Sequence, residues 1–85
     1  MPYIKENDRK KLDKIINEVF NNIPKDAGEL NYIFSKIWKL YLDRHGLSYQ
    51  RCNDILGALE GSKLELYRRF IAPYEDKKIK ENGDI

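Results

Sequence analysis

The sequence predicts an all-α protein, a compact bundle of three helices at about 7–23, 29–45 and 48–72, followed by a short C-terminal helix. Three observations predict it. Apolar residues recur at steps of three and four in three separate windows, which is the period of a helix with one buried face. Helix punctuation, a short polar residue before the first and third windows and a Gly or Pro after each window, falls between them. No run of residues alternates apolar and polar with the β-branched enrichment of a strand.

The lead, 1–6, reads as extended, because Pro2 disfavours a helix there; Tyr3 and Ile4 are then placed to pack onto the fold. Asn7 or Asp8 is the expected cap of the first helix, offering a side-chain oxygen to the free amides of the first turn. Leu12, Ile15, Ile16, Val19, Phe20 and Ile23 form its apolar stripe, and Asn21, Asn22 and Pro24 end it. After a turn at 25–28, the second helix carries Leu30, Ile33, Phe34, Ile37, Trp38, Tyr41 and Leu42 on one stripe and stops at Gly46. Glu29 in its first turn suits the positive end of the helix dipole, and His45 in its last turn suits the negative end.

Ser48 is a good cap for the third helix, whose main apolar face is Cys52, Ile55, Leu59, Leu66 and Phe70. Gly57, Gly61 and Leu64 lie well round the cylinder from that face. A glycine inside a helix costs about 1 kcal/mol relative to Ala, and close approach of another backbone is the usual compensation. That backbone belongs either to another helix of the same chain or to another subunit, and a ligand close to bare backbone is the third reading. Pro73 ends or kinks the helix. The tail, 74–85, alternates acid and base, with Gly83 as a helix stop; it reads either as a solvated short helix or as a strap anchored on a neighbour by Tyr74, Ile79 and Ile85.

With 85 residues, the chain makes a single helical domain. A chain of this size buries roughly 60–65% of its unfolded surface, so its core is small and partner subunits would add to it. The composition, 41% hydrophobic and 35% charged, argues against disorder. A net charge of +2 lacks the basic excess of a duplex DNA binder, and nucleic acid is not an expected partner. One Cys and one His cannot furnish a tetrahedral zinc site, so no metal and no cofactor are expected. Cys52 has no intramolecular disulfide partner, no apolar run reaches membrane-spanning length, and the first residues have no signal-peptide apolar stretch, which together predict a cytoplasmic protein without a membrane partner.

No catalytic residues are assigned, and no enzyme is expected. His45 has no nucleophile motif beside it, and Cys52 falls on an apolar face. Gly61-Ser62-Lys63 lacks the strand and the glycine spacing of a phosphate loop. The candidate binding residues lie on the third helix. Tyr49, Asn53, Leu56, Glu60, Lys63 and Tyr67 fall within an arc of about 80° at the helical period, and Lys63, Arg68 and Arg69 cluster with Tyr67 and Tyr74. Cations hold phosphates and tyrosine rings stack on bases, so a nucleotide or another anionic small molecule fits these residues. In the structural reading, Arg68 and Arg69 pair with Glu65 or with acidic tail residues instead. The expected function is a non-catalytic, homo-oligomeric binding protein for such an anion. The alternatives are an adaptor or inhibitor that docks a host protein on the same helix surface, and a single-stranded nucleic-acid binder.

Several motifs run through the chain: Met1-Pro2-Tyr3-Ile4, Gly28-Glu29-Leu30-Asn31-Tyr32, the spacing from Tyr49 to Asn53, Lys63-Leu64-Glu65-Leu66-Tyr67-Arg68-Arg69, Pro73-Tyr74-Glu75-Asp76-Lys77-Lys78 and Asn82-Gly83-Asp84. In these the chain resembles a family of small uncharacterised proteins of bacteria, archaea and phages. Gly61-Ser62, after Leu59-Glu60, departs from the bulkier residues of that family. The resemblance implies no activity, but its phage association suggests by analogy a sponge that sequesters a nucleotide signal of host defence.

Overall fold

The computed structural model describes residues 3–85. Met1, Pro2 and the side chain of Val19 lie outside the described residues, and with them part of the opening motif and one position of the first apolar stripe. All described secondary structure is helical: α1 is Glu6–Val19, α2 is Ala27–His45, α3 is Tyr49–Leu66, a π segment spans Tyr67–Ile71, and α4 is Ala72–Asn82. The all-α class is therefore shown, and among the described residues there is no strand.

The chain divides into two units, Met1–Ile37 and Trp38–Ile85. In the first, α1 starts at Glu6, with Lys5 as its N-cap in extended backbone and no side-chain cap. Neither Asn7 nor Asp8 serves as the cap; both lie inside the first turn, where the acids Glu6 and Asp8 favour the helix dipole instead. The helix ends at Val19, earlier than the predicted 23, as Phe20 leaves helical geometry at ψ 18° while its N–H still donates to the Ile16 carbonyl at 3.0 Å. Tyr3 does not pack down: it is 91% exposed.

The start of α2 is built by Asp26. Its Oδ1 accepts from the Glu29 N–H at 2.9 Å, and the Glu29 carboxylate accepts from the Lys25 N–H at 3.0 Å. The two bonds satisfy free amides at both sides of the turn, as in a capping box displaced by one residue, and the helix starts at Ala27 rather than the predicted 29.

In the second unit, α2 stops where predicted. Gly46 takes φ +91°, a conformation that favours glycine, and its N–H donates to the Leu42 carbonyl at 2.7 Å. Ser48 caps α3, its Oγ accepting from the Arg51 N–H at 3.1 Å. Pro73 neither ends nor sharply breaks the helix. Proline removes one N–H and crowds the carbonyl four residues back, and here the chain widens into the π segment just ahead of it. The Ala72 N–H reaches five residues back to the Tyr67 carbonyl, and the flanking Leu66 and Ala72 keep right-handed helical angles. The tail is helical to Asn82, and Gly83, at φ +87°, stops it as expected.

No described residue is buried. Ile15 of α1 is 59% exposed, Ile37 of α2 61% and Phe70 of the π segment 68%. The apolar stripes are present where the period placed them, and most of their described residues are exposed, with Ile33, Leu42, Cys52 and Ile55 half-buried.

Candidate binding face on the third helix

The candidate residues all lie along one helical run, α3, the π segment and α4. At a rise of 1.5 Å per residue, Tyr49 and Tyr74 are about 37 Å apart along it, so they cannot meet one small ligand. The set divides. Tyr49 is 93% exposed at the start of α3, and Asn53 is exposed one turn on. The cations and the other tyrosines gather from Glu60 to Tyr74.

Within that second group most charges are satisfied locally. Lys63 reaches Glu60 at 3.4 Å, and Arg69 pairs with Glu65 through its Nε. The Arg69 hydrogen bond, reinforced by the charges of Arg69 and Arg68, holds the Glu65 carboxyl below the usual glutamate range, against a smaller upward push from desolvation. The Tyr67 hydroxyl donates to the Glu75 carboxylate at 3.5 Å, and the Lys78 ammonium sits 5.5 Å from the Tyr74 ring centroid. That ammonium lies within cation–π range and competes for the ring with any stacking base. Arg68 has no hydrogen bond or ion pair among the described residues. Arg68 is thus the cation of the cluster most open to a new anionic partner.

Gly57 and Gly61 face open space: a Cβ built on either meets no atom within 4 Å. Close backbone packing from within the described chain, one of the readings of these glycines, is therefore not seen. Leu64, on the same side, is 56% exposed. His45 ends α2 as expected, with its ring 4.5 Å from Tyr41, centroid to centroid. Cys52 is half-buried and carries no disulfide. No group of His, Cys, Asp and Glu that could hold a metal ion occurs among the described residues, and none of the described helices is long and apolar enough to cross a membrane.

Two contacts escaped the sequence reading. The Asp26–Glu29 cap is legible as a short polar residue followed by Glu three positions later. The Tyr67–Glu75 bond is not, because a spacing of eight lies outside the neighbour rule of a helix surface.

No curated protein and no solved structure matches the chain. The model of one family, described as a domain of unknown function (DUF6899), matches residues 1–85. The chain belongs to that uncharacterised family.

Proposed function

We propose that the protein is a small, non-catalytic binding protein that works as a homo-oligomer, its apolar helix faces covered by other copies of the chain. One observation carries this reading: no described residue is buried, although α1, α2 and α3 each carry an apolar stripe. Exposed apolar surface beyond a few hundred Å² marks an interaction site. Full burial of a single Leu, Ile or Phe contributes about 1.5–3 kcal/mol, so covering even one stripe outweighs the exposed ion pairs, which contribute about 0.2–1 kcal/mol each. The single thiol fits a reducing cytoplasm. Native mass spectrometry tests the reading. Assemblies of two or more chains are expected, and a lone chain at all concentrations refutes it.

A second reading has its own observation. Arg68 is open to an anion beside Tyr67, which fits a phosphate-bearing small molecule such as a nucleotide. The phage resemblance directs the first screen to nucleotide signals of host defence. Binding to the folded state alone raises the melting temperature. A panel of mono-, di- and cyclic nucleotides should include one that shifts the melt of the wild type and not of Arg68→Ala; a flat panel removes this reading. Capture of a host protein that survives removal of the oligomer would favour the adaptor instead.

A further inference from the structure

We propose that a second copy of this chain lies antiparallel across the π segment, crossing at Ala72, with Arg68 of each copy facing Asp76 of the other. The inference rests on the homo-oligomeric reading and adds one contact to it, on a face of the helical run other than the main stripe of α3.

The surface is a stripe made of Leu64, Arg68, Ala72, Asp76 and Ile79. In an unbroken α-helix residues four apart drift by about 40° per step, so three such steps would carry Asp76 off the line begun by Leu64. The wider π turn, closed by the Ala72 N–H to the Tyr67 carbonyl, sets back the phase of everything after it. The stripe is thereby kept in line through Tyr67–Ile71 and into α4.

The stripe is also unsatisfied. Neither Arg68 nor Asp76 has a hydrogen bond or ion pair among the described residues. Their neighbours are engaged, Arg69 by Glu65 and Glu75 by Tyr67. Arg68 and Asp76 share a face but stand about 12 Å apart along the helix, too far to pair within one chain. A two-fold axis at Ala72 makes the surface complementary to itself. It sets Arg68 opposite Asp76 twice, and brings Leu64 of one copy beside Ile79 of the other. Those two apolar side chains are 56% and 39% exposed. The small Ala72 side chain at the crossing lets the axes approach to about 8 Å, the close end of helix packing. A parallel pair would instead oppose Arg68 to Arg68 and Asp76 to Asp76, which is repulsive. In this arrangement Arg68 is occupied by protein and is withdrawn from the anion reading.

The test is a charge swap read by sedimentation equilibrium, with circular dichroism confirming helix content. Arg68→Asp and Asp76→Arg should each weaken self-association by about tenfold or more, as expected when one member of a facing charge pair is reversed. The double variant should recover most of the loss, and an equimolar mixture of the two single variants should associate more tightly than either alone. In a Cys52→Ala background, Ala72→Cys should form an interchain disulfide on oxidation, whereas Asn53→Cys should not. A wild type that stays monomeric overturns the homo-oligomer itself. A wild type that associates while the swaps have no effect, or while the double variant fails to recover, or while Asn53→Cys cross-links and Ala72→Cys does not, overturns only the antiparallel pairing.

Discussion

The structure perturbs the ionisation of Glu65, which yields a direct pH test. Its carboxyl titrates below the usual glutamate range because Arg69 donates to it, with Arg68 adding positive charge nearby. A group whose folded pKa is depressed contributes stability that is fully present above its unfolded pKa. That stability is lost as the pH falls through the folded value. Helicity should therefore decline on acidification below the ordinary glutamate range, and Glu65→Gln should flatten that part of the profile; circular dichroism against pH checks it, and an identical profile in the variant contradicts it. Gly57 gives a second test. Its Cβ position is open, and a partner crossing at Ala72 would end short of it. Gly57→Ala should thus stabilise the helix by about 0.5–1 kcal/mol, read as a rise in melting temperature. A fall would place a neighbour's backbone there.

The elements show what a sequence can and cannot disclose about this chain. The Ser48 cap, the Gly46 and Gly83 stops and the stripe of α2 were all readable, because each is fixed by residues within one or two turns. Pro73 was readable as a disturbance but not as a π segment, since a helix accommodates a proline by ending, bending or widening, and the choice depends on the hydrogen bonds of the following turn. The loss of four predicted residues from the end of α1, which closes at Val19 rather than 23, has the same origin: apolar period alone does not say where the last carbonyls find partners. For the candidate site, the residue types are legible and the Arg69–Glu65 pair is among the readings they allow, whereas the Lys63–Glu60 pair is not; the structure holds both cations in these pairs. Two substitutions test this level. Asp26→Ala should cost about 1 kcal/mol through loss of the cap, measurable by denaturant titration, and no loss would show that the cap is incidental. Pro73→Ala should restore regular α-helical bonding, leave helix content equal or higher, and yet weaken self-association by turning α4 out of line with α3. Unchanged association would mean that the π segment does not align the contact.

For the whole molecule, the decisive fact is the absence of buried side chains among the described residues. In proteins, helices owe most of their stability to tertiary packing of an apolar face, and an isolated helix as short as the 14-residue α1 is marginal in water. Under the proposed homo-oligomeric reading, a chain with exposed stripes gains that packing from other copies, and its folding and its association are then one equilibrium. Sedimentation and circular dichroism on a single dilution series measure this directly. Helix content, melting temperature and molar mass should rise together with concentration, the mass reaching a multiple of the 10.1 kDa chain. A 10.1 kDa species with a cooperative melt that does not depend on concentration would contradict the account.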